Sequence, residues 1–506
     1  MQIIQHTRLC GSALRRCLGL VAGIGLALGV AQARAEAPPI DPALQPEEIK
    51  ALTKEAFFWG MQQVGFYELR YQFTQNEANP AFRGVNRVQR NRELFTAKMR
   101  FATTPNASTL YSGGSFDLSD EPILVDVQAI TEDRYWSVQA ADQYAHWYFF
   151  VGSPFTGNQA QRYLIVGPNW RGKLPSELRG TQIVRAPSNA MSLTLRLAVK
   201  NVDSPEDLAA ANKTMNKVFM APLSVWRKNG GQPLQPEQQP IVKGNYRTFP
   251  RMAEISDITK TMTPLDYLQL TSLVINDSAM TKRTDSLKEV QTLKHLERLG
   301  LREGYLFDPA GVTPAQKKAI EEGFFEARAE ARRAVDEGLL DMNGWKLQTS
   351  LFYSENDYVL RAGAAEIAWG SPVPFESHTI GFGLVDADGK ILDGSHAYTL
   401  TFDMKQLPPV TDFWEMPLYD DYGYFVDNPI NRYSVTSYQL QNGSLYVRDG
   451  KMTLYLQHDR PKDPNQARNW LPTPASGQFR LAPRFYGPTA PLIDGSYPMP
   501  KIVRVK

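Results

Sequence analysis

The chain has 506 residues, of which 42% are hydrophobic and 21% charged, and its formal net charge is +2. This composition supplies apolar side chains for several ordinary cores, which excludes wholesale disorder, collagen and coiled coil. No run of five or more Lys or Arg residues occurs, and near-neutral charge argues against a nucleic-acid footprint or a polybasic membrane patch. We therefore expect a globular protein with no nucleic-acid partner.

The first 35 residues have the three parts of a secretory signal peptide. Arginines come first, residues 18–30 form an apolar run, and Ala33-Arg34-Ala35 supplies a small-residue cleavage site. This run is well short of the roughly 20 residues that a helix needs to span a bilayer. We predict cleavage after Ala35, a periplasmic or secreted location and no membrane span in the mature protein. Cys10 and Cys17 both lie in the signal, so no disulfide or thiolate chemistry is expected.

Apolar residues recur at helical spacing from Pro46 to about Leu69, which predicts a helix packed on a core. From Arg100 to Lys200 the pattern changes to short β-branched and aromatic runs separated by Gly, Pro, Asn and Asp. Runs of this length and spacing are typical of a β-sandwich. We assign residues 36–225 to the helix and a first sandwich.

Residues 226–375 are predicted to be a loop and helical section, with the turn-rich residues 230–244 as the loop. Thr263-Pro264 and Thr313-Pro314 each place a capping hydroxyl before a proline at the first helical position. Strands return from about Glu376, so residues 376–506 are predicted to form a second sandwich. Its hairpin signals are Asp388-Gly389, Asn442-Gly443 and Asp449-Gly450. The fold prediction is a mixed, β-rich protein of two β-sandwich, jelly-roll-like domains with a helical section between them.

The two strand-rich regions contain an internal echo. YWSVQAADQY at residues 135–144 aligns without gaps with FWEMPLYDDY at residues 413–422. Self-similarity usually reports repeated architecture, so we interpret the regions as two related sandwiches derived from a duplication. Coincidence over ten positions is the alternative.

Several chemical motifs are incomplete. Residues 167–173 have Walker A spacing, but Leu174 and Pro175 stand where a phosphate loop needs a hydroxyl and the start of a helix. Neither G-x-S-x-G nor H-E-x-x-H occurs, which weakens the serine hydrolase and zinc protease classes. We predict no cofactor and no metal, although a two-His site assembled across strands stays open.

Aromatic residues beside Asn, Asp and Arg define two candidate sites, because rings pack on sugar or apolar faces while amides and carboxylates bind hydroxyls. In the first, Asp142 and His146 are the candidate proton-transfer groups, and the substrate-binding candidates are Asn106, Thr109 and Tyr111. The second is expected at one end of the C-terminal sandwich and comprises Asn428, Asn431, Arg432, Tyr433, Asn469, Trp470 and Arg484. Core filling by the aromatics and turn formation by Asn-Pro and Trp-Leu-Pro are the structural alternatives.

PNASTLYSGGSFDLSDEPILVDV and YLIVGPNWRGKLP resemble the bacterial domain of unknown function 1254. LPPVTDFWEMPLYDDYGYFVDNPINRYSV and NWLPTPASGQFRLAPRFYGP resemble its usual companion, domain of unknown function 1214. The resemblance implies two β-rich domains, with helices between them, in an exported protein, and it brings no established activity. The first domain usually has Asp where this chain has Ser108, so a role that needs that carboxylate is not expected here.

Two classes of function follow. One is an exported enzyme, a hydrolase or lyase without the motifs above, that acts on a carbohydrate, a cell-envelope component or a small apolar metabolite in an aromatic-lined cleft. The other is a non-catalytic ligand-binding or envelope-interaction protein. Paired titratable groups, such as Asp142 with His146, favour the enzyme. A small molecule or glycan is the expected partner in both, and the oligomeric state is left open, a homo-oligomer included.

Overall fold

The computed structural model describes residues 40–100, 104–255, 261–280, 286–348, 357–368 and 377–505. The predicted signal peptide lies outside these ranges. In the described ranges, no helix has both the length and the apolar character that crossing a membrane requires.

Nine strands form the first sandwich. They are β1 (Gln89–Arg90), β2 (Thr109–Asp117), β3 (Ile123–Val127), β4 (Trp136–Asp142), β5 (Trp147–Gly152), β6 (Gln161–Val166), β7 (Gln182–Arg185), β8 (Ala190–Ala198) and β9 (Val218–Pro222). One sheet has the order β1-β2-β8-β4-β5 and the other β7-β6-β3-β9. Leu110, Trp136 and Leu195 of the first sheet share a core with Val125 and Ile165 of the second. Because side chains alternate along a strand, the other residues of β2 and β8 point to the outer face.

The described residues contain long and short helices. They are α1 (Pro46–Thr74), α2 (Pro205–Met215), α3 (Leu223–Lys228), α4 (Pro264–Ile275), α5 (Leu287–Leu296), α6 (Pro314–Gly338), α7 (Tyr358–Ala368), α8 (Ser437–Gln441), α9 (Pro464–Arg468) and α10 (Ala490–Ile493). The predicted first helix is confirmed and continues to Thr74. It packs with α4 to α7: Phe57 lies 5.6 Å from the Tyr267 ring and 5.2 Å from the Phe324 ring. The predicted caps are also confirmed, because Thr263 and Thr313 each accept a backbone hydrogen bond at the start of α4 and α6.

The remaining strands form the second sandwich. They are β10 (Leu340–Met342), β11 (Trp345–Gln348), β12 (His378–Phe382), β13 (Tyr398–Asp403), β14 (Trp414–Asp420), β15 (Ser434–Thr436), β16 (Lys451–Gln457), β17 (Trp470–Pro472), β18 (Phe479–Leu481), β19 (Arg484–Tyr486) and β20 (Ile502–Arg504). One sheet has the order β10-β11-β12-β19-β14-β15, with β18 also paired to β14, and the other has the order β17-β16-β13-β20. Trp414 and Phe485 of the first share a core with Leu400 and Leu454 of the second. The mixed, β-rich fold with two sandwiches is confirmed.

One hairpin lies in the segment that the sequence assigns to helices. Strands β10 and β11 pair antiparallel and extend the second sandwich through β12. Asn343 and Gly344 form the turn with φ angles of 58° and 92°. Asn-Gly is a strong signal for a hairpin with two positive φ angles, so local turn chemistry prevailed over the helical surroundings.

Strands β4 and β14, the two copies of the echo, end in the same turn. The Asp142 amide donates to the His146 carbonyl (3.0 Å) and its carboxylate accepts the His146 amide (2.9 Å). Asp420 makes the same two bonds with Tyr424, both at 2.8 Å. The echo therefore extends from ten residues of sequence to a shared hairpin geometry.

Candidate ligand cavity

A cavity of about 910 Å³ lies on the outer face of the five-stranded sheet. Its floor includes Tyr111, Gly113, Thr194 and Arg196, the outward-facing residues of β2 and β8. Tyr111 is the register partner of Arg196, and Gly113 is the register partner of Thr194. The sheet therefore presents two adjacent rows of polar or small residues to the cavity.

Another part of the cavity lining is apolar. Phe66, Leu69 and Phe73 line it from α1, where spacings of three and four residues place side chains on one helix face. Phe95 and Met99 also line it, and the Phe95 ring lies edge-on to Tyr111, with 6.2 Å between the ring centroids. A ligand in this cavity is thus offered both an apolar wall and a polar floor.

Four arginines and two glutamates line the cavity: Arg83, Arg90, Arg92, Arg196, Glu93 and Glu237. Arg92 pairs with Glu237 at 2.8 Å. No described acidic residue forms an ion pair with any of the other three arginines; Arg83 donates to the carbonyls of Ala81 and Gly113, and Arg90 to the carbonyl of Val218.

Burial is the main cause of altered pKa values among these arginines. It lowers the pKa of Arg83 to about 10, with a smaller contribution from Arg87. It also lowers the pKa of Arg90 to about 10, against an opposing effect of Glu237. Both groups are still charged at neutral pH, so the cavity has an excess of positive charge.

Residues 104–106 line one end of the cavity, and the second sandwich holds residues 104–107. The contacts are Arg484 Nη2 to the Thr104 carbonyl, Tyr419 Oη to the Pro105 carbonyl (2.5 Å), Asn106 Nδ2 to Tyr486 Oη (2.7 Å) and the Ala107 amide to Glu415 Oε1 (2.9 Å). We call these four contacts the clamp. Each joins a different residue of the segment to β14 or β19, so the second sandwich fixes the backbone path of this wall.

The clamp contains a buried carboxyl. Glu415 is fully buried, and burial raises the pKa of its carboxyl, while Arg484 and the Ala107 amide act in the opposite direction. Its Oε2 atom has no hydrogen-bond partner among the described residues. His378 lies close by, stacked on Tyr486 at 5.0 Å. Burial lowers the pKa of His378 well below its usual value, and Arg196 and Arg484 lower it further, so this imidazole is neutral.

The structure does not bring the five residues of the first predicted site together. Asn106 and Tyr111 line the cavity, whereas Thr109, Asp142 and His146 are not among its lining residues. Thr109 pairs with Ala198 at one end of β8, and Asp142 pairs with Met191 near the other. At about 3.3 Å per residue, roughly 23 Å of strand separates the two ends.

Asp142 and His146 form a turn. The Asp142 carboxylate accepts the amides of Tyr144 and His146, both at 2.9 Å. Its other oxygen lies 3.6 Å from His146 Nδ1. An Asp whose carboxylate accepts backbone amides two to four residues ahead stabilises a turn. Asp142 and His146 are therefore close to each other because of the turn, and neither lines the cavity.

The second predicted site is divided. Asn428 accepts the amide of Arg432 at 3.0 Å, and Arg432 donates to the Trp470 carbonyl at 3.1 Å. The Asn469 side-chain amide donates to the carbonyls of Tyr446 and Thr453. The other contacts in this corner are Tyr433 Oη to Asn431 Oδ1 (3.1 Å) and Trp470 Nε1 to the Gln457 carbonyl (2.8 Å). These six side chains form hydrogen bonds that stabilise turns and a corner of the second sandwich. Arg484 lies apart from them, in the clamp.

Sequence reasoning missed the arginines of the cavity and most of the clamp. Arg196 has a local signal, because it is a charged residue at an outward position of the alternating strand SLTLRLAV. Glu415 also has a local signal, because it is an acidic residue within an apolar strand. The aligned position in the other copy of the echo is Ser137. Arg83 and Arg90 carry no such signal, since only the folded chain places them beside β2.

Within the described ranges, no three His, Cys, Asp or Glu side chains are arranged to hold a metal ion.

The fold and the cavity together define a class of protein: two β-sandwiches with a helical layer and a ligand-sized cavity on the first sandwich. The chain carries two family domains. Residues 85–222 match the model described as Protein of unknown function (DUF1254), and residues 380–490 match Protein of unknown function (DUF1214). The resemblance inferred from the sequence motifs is confirmed. The apolar wall from α1 lies before the first matched range.

A solved structure shares this fold. The chain is similar to the VPA0106 protein from Vibrio parahaemolyticus, with 22% identity and a TM-score of 0.61 over 90% of this chain and 100% of that chain. An uncharacterized protein from Burkholderia cenocepacia has 13% identity and a TM-score of 0.39 over 91% of this chain and 94% of that chain. Comparison with curated proteins gave no match.

Proposed function

We propose that the protein binds a small organic ligand in the cavity on the outer face of the first sandwich. The size of the cavity carries this proposal: about 910 Å³ lies within the range of roughly 300–1,000 Å³ that is usual for small-molecule sites. An apolar wall with a few polar groups is also the usual composition of such sites. The signal-like residues 1–35 support an exported location for this binding.

Binding without catalysis fits the geometry better than an enzyme does. The acid and base favoured by the sequence, Asp142 and His146, close a turn at the far end of β4. General acid–base catalysis requires a titratable group within hydrogen-bond reach of the substrate. Glu415 belongs to the clamp that holds one end of the cavity wall, and the neutral His378 stacks on the clamp residue Tyr486.

Gly113 provides the sharpest test, because a side chain there fills the floor. A Cβ atom at this position lies 3.3 Å from the Leu193 carbonyl and 3.8 Å from Thr194 Oγ1, so only small shifts are needed to accommodate it. Gly311 is a matched control, because nothing lies within 4 Å of its Cβ position. Neither glycine has a positive φ angle.

The probe is N-phenyl-1-naphthylamine, a neutral apolar dye whose fluorescence rises on binding. We expect saturable binding to the wild type and to Gly311→Leu. Gly113→Leu is expected to weaken binding at least tenfold while its melting temperature stays within a few degrees of the wild type. Equal binding by Gly113→Leu and the wild type would show that the dye does not occupy this cavity and would overturn the proposal.

A further inference from the structure

The cavity has positive charge that the protein itself does not neutralise. Of its four arginines, only Arg92 has an acidic partner among the described residues, namely Glu237. Arg83 has 9% exposure and is held by backbone carbonyls. A desolvated cation without a counter-ion favours an anion in its vicinity. A charge excess in a half-enclosed cavity therefore selects for a ligand that brings negative charge.

Arg196 is the cavity arginine best placed to meet such a ligand on the floor. It projects from the outer face of β8 opposite Tyr111 and donates one bond to Gln139. Its guanidinium lies 5.8 Å from the centroid of the Tyr111 ring and 5.6 Å from that of Trp147. A guanidinium has five N–H donors in a planar fork that matches a carboxylate, so donors are left for a ligand after the bond to Gln139.

The floor beside Arg196 has room for an acid group. Gly113 has no side chain, and its partner Thr194 lies two residues before Arg196 on the same strand. Arg83 reaches the Gly113 carbonyl from the other side. The space above Gly113 and Thr194 is therefore flanked by two guanidinium groups, neither of which has an acidic partner among the described residues.

The apolar wall determines the rest of the ligand. Phe66 and Leu69 offer an apolar surface from α1 beside Phe73, whose ring carries the Arg83 guanidinium at 3.9 Å, and Phe95 and Met99 continue the surface beside Tyr111. Burial of an apolar body there is favourable, because it removes CH₂ groups from water. A compact, fully charged ligand such as inorganic phosphate would leave this wall unused.

We infer that the ligand is an amphipathic carboxylic acid, with its carboxylate between Arg83 and Arg196 and its apolar body along α1. This inference rests on the proposed function, since it assigns the ligand class of the same cavity. It differs from the expectation of a glycan, whose hydroxyls would need amide and carboxylate partners along the apolar wall.

Three probes of equal chain length test the charge preference: decanoate, decan-1-ol and decylammonium, each in competition with the naphthylamine dye. We expect decanoate to displace the dye at a concentration at least tenfold below that of the alcohol, and decylammonium to be the weakest. Equal potency of decanoate and decanol, or a preference for decylammonium, would overturn the carboxylate assignment while leaving cavity binding intact. Failure of the dye itself to bind would instead overturn the proposed function.

Arg196 variants assign the preference to a residue. Arg196→Gln is expected to reduce the advantage of decanoate over decanol to less than threefold, and Arg196→Lys to retain part of it, because a charge is kept. Arg171 is a matched control, since it is exposed and is not among the residues that line the cavity, and Arg171→Gln is expected to keep the full preference. If Arg196→Gln keeps that preference in a folded protein, Arg196 is not the anchor.

Discussion

The Tyr135 ring lies 5.8 Å from the Phe413 ring and is inclined to it by 66°, although one belongs to each sandwich. The two residues hold the same first position in the internal echo. Tyr486 joins them, with its ring centroid 4.9 Å from that of Tyr135 and 4.1 Å from that of Phe413. Equivalent positions of the echo in the two sandwiches thus meet in one aromatic cluster, which is what the duplication hypothesis leads one to expect.

Replacing Glu415 by Gln should change how stability depends on pH. The pKa of this carboxyl is raised by burial, so the folded state holds its proton more tightly than the unfolded chain, whose pKa is about 4.3. The associated stability is present below the unfolded pKa and is lost as pH rises through the folded pKa. Glu415→Gln removes this loss, and its free energy of unfolding should gain on the wild type between pH 4 and pH 8.

Urea denaturation at both pH values measures this difference. Glu337→Gln, on the exposed surface of α6, is the control and should follow the wild type at both. If Glu415→Gln instead loses stability relative to the wild type as pH rises, Glu415 is charged in the folded protein and stabilised by Arg484.

Removal of Arg484 should cost more than removal of both members of the pair. Arg484 is buried beside Glu415, its register partner on β14, and nearby phenols together with Glu415 raise its pKa against the effect of burial. Removing Arg484 takes away its hydrogen bonds to the Thr104 carbonyl and Tyr419 Oη and leaves Glu415 buried without the nearby cation that lowers its pKa, and loss of one member of a buried charged group typically costs about 3–5 kcal/mol. Arg484→Met should therefore lose stability of that order.

Arg484→Met with Glu415→Gln should recover part of that loss, and a double-mutant cycle of unfolding free energies measures the coupling. Additive effects would mean that the two side chains do not interact. Dye binding by the folded double variant provides a second measurement: because the clamp holds residues 104–107, binding should weaken even where stability is restored.

The two copies of the Asp turn should respond alike. Asp142→Ala removes acceptors for two amides, and Asp420→Ala removes the acceptor for the Tyr424 amide. At about 1 kcal/mol for each lost bond, we expect losses of about 2 kcal/mol for Asp142→Ala and about 1 kcal/mol for Asp420→Ala, measured by thermal and urea unfolding.

Neither substitution should change the affinity for the dye, because neither residue lines the cavity. The same variants also test the role that the sequence suggests for Asp142 in proton transfer. Wild-type stability of Asp142→Ala together with loss of a ligand-dependent activity would support that role over the turn.

Much of the fold could be predicted because its signals are local. Alternating strands, the periodicity of α1 and the hydroxyl before each proline all act within a few residues. The hairpin at Asn343-Gly344 was missed because its two strands are short and the surrounding segment reads as helical. Nothing in the sequence indicated that α1 packs with α6 and α7, since that contact joins segments more than 200 residues apart.

The site was harder to predict than the fold. Asn106 and Tyr111 were found because they stand together in one conspicuous string, but proximity in the chain misled for Asp142 and His146, which are close only because they form a turn. Arg196 reads as an ordinary surface residue until the sheet places it opposite Tyr111. Glu415 and Arg484 become a pair only through the register of β14 and β19.

The clamp makes the two family domains inseparable. A chain cut between them would keep every residue that lines the cavity, since all of these precede residue 240, yet it would lose Glu415, Tyr419, Arg484 and Tyr486. The carbonyls of Thr104 and Pro105 and the amide of Ala107 would then lose their hydrogen-bond partners and face water. The backbone of residues 104–107 would no longer be fixed. Because both domains lie in one polypeptide, every molecule that contains the cavity also contains the residues of the clamp.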